Sequence, residues 1–403
     1  METIRKLPNL RHLRAFEAVC RTESVNAAAA EVNITQPAVT QALSGIEAFF
    51  GQSLFVRRAK GTYPNEAGRL VEVRVRRFFE QLAAAVSLIQ PANMRSGQAV
   101  RGVTNRITAA QVRALTAIAR SASLSGAAKM IGVAEPSLYR AAREVEQVLG
   151  RSLFYRSPTG VVTNRLGAEI ARRWGLAQLE IDIGFDDVRA LGGFFSGRVA
   201  IGSLPLARTF ILPRAINHAS QIYPQARFEI VDGPYQTLLQ NLREGVLDFL
   251  VGALRNPPPF DDISGDELLW DPYAVVARRD HPLFGKAHIG VADLAEFGWV
   301  IAREGTLVRS AFEALFSNGP RPLANIETSS LIATRGLLME SDRLTLLSER
   351  QIAVDERAGL LKILPFPLPH TTRSIGVTTR RNWLPSAIHE CFLECLHRAA
   401  REA

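Results

Sequence analysis

An internal repeat restricts how this 403-residue chain can fold more than any other feature of its sequence. The stretch from Leu13 to Gly68 recurs as the stretch from Val112 to Gly167, at a constant offset of 99 positions and without a gap. About a third of the paired positions are identical, as in GQSLFVR at 51–57 and GRSLFYR at 150–156. Two copies are too few to build a solenoid, so the repeat predicts tandem copies of one small domain.

Each copy has the residue pattern of three helices followed by a hairpin. In the first copy, Ser24 is placed to cap a short alanine-rich second helix, and Thr35 is placed to cap a third helix. The third helix tolerates Pro37 in its first turn, where backbone N–H groups lack intrahelical partners, and Gly51 ends it. Two short strand-like segments within residues 53–63 predict a β-hairpin.

The third helix of each copy has an apolar side and a polar side. Val39, Leu43, Ile46 and Phe50 recur at helical spacing and predict one buried stripe. The matching residues of the second copy are Leu138, Ala142, Val145 and Leu149. Two helices joined by a tight turn, the second with an exposed polar side, have the helix-turn-helix shape that docks in the major groove of DNA. An ordinary three-helix core with a solvated polar side is the alternative interpretation.

The polar side of the third helix suits the recognition of bases. Glutamine can form paired hydrogen bonds with adenine, and threonine can approach a thymine methyl group. The helix N-terminus favours a phosphate, and basic residues of the hairpin would lie beside other phosphates. The candidate DNA-binding residues of the first copy are Thr35, Gln36, Pro37, Ala38, Thr40, Gln41, Ser44, Arg57, Arg58 and Lys60.

The net charge of +9 is confined to the half of the chain that contains the repeat. Residues 1–192 hold 26 Lys and Arg against 16 Asp and Glu, whereas residues 193–403 hold 22 against 23. The two halves therefore carry +10 and −1. Such a split indicates that one half faces a polyanion and the other does not, with chance or solubility as the alternative explanation.

The first copy resembles the N-terminal domain of LysR-type transcriptional regulators over its whole length. The matching segments are Ala28-Ala29, Gln36 to Thr40, Ile46-Glu47, Gly51 to Arg57 and Pro64 to Gly68. The match departs at Pro64, where the family has a threonine that caps the next helix, and Asn65 is placed to take over that cap. The resemblance implies a winged helix-turn-helix domain, a regulator of transcription that binds double-stranded DNA, and RNA polymerase as a further partner.

The family normally carries one such unit, and the second copy follows the signature less closely. Glu135 replaces a glutamine; its carboxylate would be repelled by phosphate but could accept a hydrogen bond from cytosine. Either the second copy reads a different base sequence or it has become a packing element, and the retained arginines favour DNA contact. These arginines are Arg140, Arg143, Arg151 and Arg156. The candidate DNA-binding residues of this copy are Glu135, Pro136, Tyr139, Arg140 and Arg156.

A long helical pattern follows each copy, from Asn65 and from Asn164. In the family, this linker helix pairs between subunits and forms the dimer. Only the second long helix leads directly into the C-terminal region, so we expect it to join the subunits of a homodimer or homotetramer. We expect the first to pack on its own subunit. The expected intersubunit seam consists of Ile170, Trp174, Leu176, Ala177 and Ile181.

From Gly197 onward, strands alternate with helices, which predicts a parallel sheet covered on both faces. This region resembles the effector domain of the same family, which has a type-2 periplasmic-binding-protein fold with a ligand cleft between two lobes. The predicted fold class is therefore mixed: two helix-rich winged helix-turn-helix domains with long linker helices, then a two-lobed α/β effector domain. The predicted boundaries are 8–68 and 107–167 for the winged domains, 69–106 for the first linker helix and loop, 168–193 for the dimerisation helix, and 197–403 for the effector domain, with lobe I at 197–269 and 385–403 and lobe II at 270–384.

The C-terminal half also contains candidate residues for binding a small-molecule effector. Ligands of open α/β sheets bind beyond the carboxyl ends of strands, near helix N-termini. Hydroxyl groups and an arginine at such positions would suit a small ligand with a carboxylate or several hydroxyls. The candidate residues are Ser203, Leu204, Pro205, Thr306, Arg309, Ser329 and Ser330. Helix capping by the hydroxyls and a salt bridge of Arg309 are the alternatives.

The sequence gives little support for catalysis or for a bound metal. It contains no phosphate-binding loop, nucleophile elbow or zinc-protease motif, so we expect no enzyme and no cofactor. Cys391 and Cys395, with His389 and His397, are explained more simply by a helix face packed on lobe I than by a metal site. The sparse cysteines, the absence of an apolar leader and the lack of a membrane-length apolar run predict a cytoplasmic protein without membrane contact. The rival interpretation is a small-molecule-binding protein or enzyme whose repeats serve only in assembly.

Overall fold

The structure is a computed structural model that describes residues 6–59, 61–90, 97–121, 123–157, 160–193 and 197–402. Its internal contacts divide the chain into two compact units, residues 1–196 and 197–403. Of the predicted DNA-binding residues, Lys60 lies outside the described ranges.

The first copy of the repeat folds into three helices and a hairpin. Its elements are α1 (Leu10–Thr22), α2 (Val25–Glu31), α3 (Gln36–Phe50), β1 (Phe55–Arg58) and β2 (Gly61–Pro64). The predicted caps are confirmed, because the hydroxyls of Ser24 and Thr35 accept hydrogen bonds from the N–H groups of Ala27 and Ala38. Gly51 ends α3 with a φ of 77°, a left-handed conformation that glycine adopts without a steric penalty.

Two helices separate this copy from the second copy, which folds in the same way. The elements are α4 (Glu66–Ser87), α5 (Gly97–Thr104), α6 (Ala109–Arg120), α7 (Leu124–Ile131), α8 (Glu135–Leu149), β3 (Phe154–Ser157), β4 (Gly160–Thr163) and the long α9 (Arg165–Leu191). Asn65 caps α4 as predicted, and Asn164 caps α9 in the same way: each side-chain oxygen accepts from a glycine N–H at 2.8 Å. Helix α5 was not predicted, because its two glycines have low helix propensity.

Both copies and both long helices share one hydrophobic core. Helix α4 packs along α9, which confirms that the first long helix packs within its own chain. Ile170, Trp174, Ala177 and Ile181 are at most 1% exposed, and Leu176 is half-buried. The predicted intersubunit seam on α9 is therefore wrong, because α4 of the same chain contributes to the core that covers these residues.

The second unit alternates strands and helices. Its elements are β5 (Arg198–Ser203), α10 (Ile211–Ile222), β6 (Arg227–Asp232), α11 (Tyr235–Arg243), β7 (Phe249–Ala253), β8 (Ile263–Asp271), β9 (Ala274–Arg278), α12 (Val291–Ala295), β10 (Val300–Ile301), α13 (Leu307–Leu315), β11 (Ile326–Glu327), α14 (Leu331–Met339), β12 (Thr345–Leu347), α15 (Glu349–Arg357), β13 (Leu361–Ile363), β14 (Arg373–Arg380) and α16 (Ala387–Arg401).

Lobe I is built on a five-stranded sheet in the order β6-β5-β7-β14-β8. Strand β5 runs parallel to β6 and β7, as the sequence predicts, but β14 runs antiparallel to both β7 and β8, so the sheet is mixed. Strand β8 was not predicted, because it lies at the sheet edge and its charged residues interrupt the apolar pattern. Helices α10 and α16 pack together in the core of this lobe.

Lobe II contains a three-stranded antiparallel sheet, β12-β9-β13, and the parallel pair β10-β11. Its core surrounds Trp299, which is fully buried. The predicted lobe boundary near residue 384 is wrong, because β14 pairs with the strands of lobe I from Arg373 onward. A short strand pattern cannot show which of two sheets it joins.

Candidate DNA interface and effector cleft

Helix α3 divides the predicted residues of the first copy between two environments. Its stripe of Val39, Leu43, Ile46 and Phe50 is buried, as predicted. On the other side, the predicted DNA-binding residues lie at or near the surface. Thr35, Gln36, Pro37, Gln41 and Ser44 are exposed, whereas Ala38 and Thr40 are half-buried.

The exposed side chains of α3 are available to a ligand. Within the described part of the chain, Gln36, Gln41 and Ser44 make no side-chain hydrogen bond. The Thr40 hydroxyl donates to the carbonyl oxygen of Gln36 at 3.2 Å, which leaves its methyl group and its oxygen lone pairs free for contact. The start of α3 therefore presents two amides, a hydroxyl and a methyl group on one surface.

The hairpin that follows α3 is held against two helices. Thr62 donates its N–H to the carbonyl oxygen of Glu23, just beyond α1, at 2.9 Å. At the other end of the hairpin, the Glu47 carboxylate of α3 accepts from the N–H of Leu54 at 2.9 Å. Arg57 and Arg58 are exposed on β1. Two predicted phosphate contacts thus stand on a hairpin whose ends are fixed.

The second copy presents its predicted residues in the same way but with different chemistry. Glu135, Pro136, Arg140 and Arg156 are exposed, and Tyr139 is half-buried. Arg143 donates to the Tyr139 hydroxyl at 3.0 Å and to Glu146 at 2.6 Å, and the hydrogen bond from Arg143 lowers the pKa of Tyr139. Glu146 also accepts from the N–H of Leu153 at 2.8 Å, as Glu47 does from Leu54. Both copies therefore hold their hairpins by the same carboxylate contact.

In lobe I, the predicted effector residues follow β5. Ser203 is the last residue of β5; it is buried, and its hydroxyl has no hydrogen-bond partner among the described residues. Leu204 is half-buried against Gly252, where a Cβ atom would lie 2.6 Å from the Leu204 Cβ. Pro205 is exposed. The buried unpaired hydroxyl at the carboxyl end of a parallel strand marks this position as a candidate ligand contact.

In lobe II, the predicted residues stand at the starts of two helices. The hydroxyls of Thr306 and Ser330 cap α13 and α14 by accepting from the N–H groups of Arg309 and Ala333. Ser329 is exposed. The Arg309 side chain donates to Glu313 at 2.7 Å and to Glu327 at 3.3 Å, so its charge is already compensated within lobe II. These contacts are the helix capping and the salt bridge that the sequence offered as alternatives to ligand binding.

Two residues of lobe I that the sequence does not single out lie close together, and one of them contacts lobe II. Arg255 follows β7, and its guanidinium lies 4.8 Å from the centre of the Tyr235 ring in lobe I. It also donates to the carbonyl oxygen of Gly305 in lobe II at 3.4 Å. Burial raises the pKa of Tyr235, and the positive charge of Arg255 opposes that shift. Neither residue belongs to a recognisable sequence motif. The sequence offers one indication of a binding site here, which is that the cation Arg255 follows a buried strand closely.

The cysteine and histidine residues of α16 differ in their surroundings within lobe I. Cys395 is buried in the lobe I core. His389 forms a hydrogen bond with Ser386 at 2.7 Å and lies 3.4 Å from Asp248, while His397 contacts Asp266 at 2.9 Å. Across the described ranges, no group of three or more His, Cys, Asp and Glu side chains is arranged to hold a metal ion.

The long helices carry too many polar residues to cross a lipid bilayer. None of the helices in the described ranges meets both the length and the apolar content that a membrane span requires.

Two family models match the chain. The model described as "Bacterial regulatory helix-turn-helix protein, lysR family" matches twice, at residues 10–69 and 109–168. The model described as "LysR substrate binding domain" matches residues 192–401.

Named relatives of the chain are transcriptional regulators. The HTH-type transcriptional regulator GalR of Pseudomonas putida is 30% identical over 401 residues, which cover 98% of each chain. The HTH-type transcriptional regulator PcaQ of Agrobacterium fabrum is 29% identical over 302 residues, which cover 74% of this chain and 97% of the relative. These relatives do not favour the rival interpretation in which the repeats serve only in assembly.

Two solved structures share the fold. A full-length OxyR variant from Pseudomonas aeruginosa has a TM-score of 0.54 at 23% identity and covers 73% of this chain and 95% of its own. ArgP from Mycobacterium tuberculosis has a TM-score of 0.57 at 17% identity and covers 72% and 96%. Regulators of the matched family bind DNA and small-molecule effectors and form oligomers. This chain belongs to the LysR family and is a DNA-binding transcriptional regulator with an effector-binding domain.

Proposed function

We propose that the exposed side of α3 lies in the major groove of the operator and that the hairpin contacts the phosphates beside it. The division of α3 into a buried aliphatic stripe and a surface of unpaired polar groups carries this proposal. Gln36 and Gln41 supply amides that can pair with adenine, and the Thr40 methyl group can meet a thymine methyl group. Thr35, Pro37, Ala38 and Ser44 complete the surface.

Phosphate contacts come from the hairpin. Arg57 and Arg58 are exposed on β1, and Lys60 follows them in sequence. Each cation that neutralises a phosphate releases counterions, which makes binding dependent on salt. The net charge of +10 over residues 1–192 supports the same assignment.

We extend the proposal to α8 of the second copy. Its exposed Glu135 and Arg140 occupy the positions of Gln36 and Gln41, and neither is covered by the described chain. Arginine binds guanine through two hydrogen bonds, and a carboxylate accepts from the cytosine amine. Pro136, Tyr139 and Arg156 would line the same contact. The exposure of this face supports DNA reading rather than packing.

The effector site is proposed in the cleft between the lobes. Ser203, Tyr235 and Arg255 are contributed by lobe I, and the segment from Gly305 to Thr306 by lobe II. The unpaired Ser203 hydroxyl and the Arg255 guanidinium suit a small ligand with a carboxylate or several hydroxyls. The other residues predicted from the sequence stay candidates for ligand contact: Leu204, Pro205, Arg309, Ser329 and Ser330.

A gel-shift titration against salt tests the DNA contacts. The full-length chain is mixed with duplex fragments selected from random-sequence DNA, and affinity is measured at several salt concentrations. The logarithm of the association constant should fall with that of the salt concentration, with a slope of about −0.9 per neutralised phosphate. Arg57→Ala and Arg58→Ala should each reduce the slope by about 1, whereas Arg76→Ala on α4 should not change it. An affinity that does not change with salt concentration would contradict the proposal.

A thermal-shift screen tests the effector site. Small carboxylic acids and polyols are tested for an increase in the melting temperature of the full-length chain, because a ligand of the folded state stabilises it. For a compound that binds, Ser203→Ala should remove about 0.5–1.5 kcal/mol of binding free energy, the value of one hydrogen bond. Ser310→Ala, an exposed hydroxyl on α13, is the matched control. An unchanged affinity of the Ser203 variant would remove that residue from the site.

We also propose that the protein contacts RNA polymerase and assembles into a homodimer or homotetramer, because it belongs to the LysR family. Since the apolar stripe of α9 is buried within the chain, such an assembly would use other surfaces.

A further inference from the structure

The two long helices of the first unit form an antiparallel pair within one chain. Arg74 of α4 contacts both Asp187 and Glu180 of α9. Arg77, almost one turn further along α4, contacts Glu180, which lies nearer the start of α9 than Asp187. Successive contacts therefore run in opposite directions along the two helices.

At each end of this helix pair, one copy of the repeat contacts the long helix that follows the other copy. At one end, the ring of Phe185 on α9 lies 6.3 Å from that of Phe50, the last residue of α3. At the other end, Arg151, just beyond α8, donates to the carbonyl oxygen of Ile89, just beyond α4, at 3.3 Å. Each copy of the repeat thus meets the far end of the other copy's long helix. Reciprocal contacts of this kind are what a two-fold axis produces between the subunits of a dimer.

Buried ion pairs make this helix pair specific for two unlike partners. The Arg74 side chain is only 3% exposed and lies 3.0 Å from Glu180 and 2.9 Å from Asp187. The offset of 99 places Gln81 of α4 and Leu88, the residue just beyond α4, at the equivalent positions. An α4 helix paired with another α4 would therefore lack the two carboxylates that α9 places beside the buried Arg74, and losing a partner of a buried ion pair is strongly unfavourable.

We infer that a single chain carries the complete pair of DNA-reading units that a one-unit family member assembles from two chains, and that it reads two unlike half-sites. This inference rests on the proposed DNA contacts of α3 and α8. Because both units share one core, their separation is fixed within the chain. Paired helix-turn-helix units bind half-sites about one helical turn apart, roughly 34 Å.

The two reading surfaces differ, so the half-sites should differ too. Gln36 and Gln41 on α3 are neutral amides, whereas Glu135 and Arg140 on α8 are charged. Amides favour adenine, while arginine favours guanine and a carboxylate favours cytosine. A symmetric dimer reads a palindrome, but this chain would read an operator whose halves have different sequences.

The length of one relative, PcaQ, agrees with this arrangement. The aligned region of PcaQ spans 97% of that regulator but only 74% of this chain. About a quarter of this chain is therefore additional, close to the offset of 99 residues between the copies. The additional length matches one reading unit with its long helix.

The first test selects duplexes from random DNA with the full-length chain and maps their protection from cleavage. The wild type should select a two-part, non-palindromic site and protect both parts. The first-unit variant Gln36→Ala/Thr40→Ala/Gln41→Ala should lose protection of one part, and the second-unit variant Tyr139→Ala/Arg140→Ala should lose the other. Gln147→Ala, an exposed residue further along α8, is the control and should protect both.

The second test mixes the two defective variants after joint unfolding and refolding, with circular dichroism and melting temperature as folding controls. Each variant alone should bind the selected duplex about tenfold or more weakly than the wild type, since each loses at least one base-specific contact. If the reading pair forms within one chain, no mixed assembly contains an intact pair, and the mixture should bind as weakly as its components. If the pair forms between chains, mixing should restore part of the wild-type affinity.

Restored affinity in the mixture, a palindromic selected site, or loss of the same protected part by both variants would overturn the inference while leaving DNA binding in place. Failure to select any duplex would instead overturn the proposed function on which the inference rests.

Discussion

Arg74 and Glu180 form an ion pair at 3.0 Å in which the two side chains are only 3% and 7% exposed. The residues lie on α4 and α9, 106 positions apart, and their contact is buried. The second oxygen of Glu180 accepts from Arg77 at 2.7 Å, so this buried carboxylate is paired on both sides. The pair joins two helices that the repeat makes equivalent but that carry complementary charges.

The Arg74→Ala substitution should destabilise the first unit strongly. It would remove the buried cation that Glu180 and Asp187 both contact, and removing one partner of a buried ion pair costs about 3–5 kcal/mol. Guanidinium chloride denaturation followed by circular dichroism measures this loss. Arg76→Ala is the matched control, because its side chain is 55% exposed and surface pairs contribute about 0–1 kcal/mol. Similar small effects for both variants would show that the buried pair does not hold α4 to α9.

A second prediction concerns the buried carboxylate of lobe I. Asp248 accepts from the N–H of Ala200 at 2.8 Å and lies 3.4 Å from His389 and 3.9 Å from Arg380. Burial acts to raise the pKa of Asp248, but its interactions with His389, Arg380 and the N–H of Ala200 outweigh it and lower the pKa below its usual value. We expect Asp248→Asn to reduce the free energy of unfolding by about 3–5 kcal/mol at neutral pH.

The stabilisation by Asp248 should depend on pH in one direction. A carboxyl group whose pKa is lowered by folding contributes fully above its unfolded pKa of about 3.9, and the contribution is lost as the pH falls through the folded pKa. The difference between wild type and Asp248→Asn should therefore shrink in acid. Asp266→Asn, with a side chain that is 62% exposed, is the control. A difference that stays constant at all pH values would exclude the charge of Asp248 as its cause.

Glu135 offers a test of the second reading surface. It is exposed in the first turn of α8, where its carboxylate would be repelled by DNA phosphates. Glu135→Gln should raise the affinity for random-sequence duplex about twofold to fivefold, which corresponds to the removal of a screened charge repulsion. Fluorescence anisotropy measures this change, with Glu144→Gln further along the helix as control. If the affinity does not change, α8 stands away from the phosphates.

Gly68 and Gly167 occupy equivalent positions in the first turns of α4 and α9. A Cβ atom would lie 2.1 Å from the carbonyl oxygen of Leu54 at the first position and 2.3 Å from that of Leu153 at the second. Alanine at either position should lower stability by about 1–3 kcal/mol, because the backbone must move. Gly102→Ala in α5 meets no atom within 4 Å and should instead raise stability by about 0.5–1 kcal/mol. Thermal denaturation should give shifts of opposite sign; a stabilised Gly68 or Gly167 variant would disagree with the close approach.

Local signals in the sequence were sufficient for the units themselves. Ser24 and Thr35 cap helices where predicted, and Val39 and Leu43 are buried where the helical period places them. These features depend on neighbouring residues, so a short stretch of sequence contains the information. The polar surface of α3 could be predicted for the same reason.

Features that depend on distant partners could not be predicted in this way. The apolar stripe around Trp174 indicates that α9 is covered but not that α4 of the same chain covers it. Strand β14 alternates like any strand, and only the assembled sheet shows that it pairs with β7 and β8. Arg255 gains its position from the approach of lobe II, which no neighbouring residue indicates.

The contact between α3 and DNA bases can be measured directly with the variant Gln36→Ala/Thr40→Ala/Gln41→Ala in the full-length chain. Its affinity for the selected duplex should fall by about tenfold or more, because base-specific hydrogen bonds are lost. Its affinity for random duplex and its melting temperature should stay near the wild-type values, because all three side chains lie away from the buried stripe. A correctly folded variant that occupies the selected duplex as tightly as the wild type would contradict the placement of α3 in the groove.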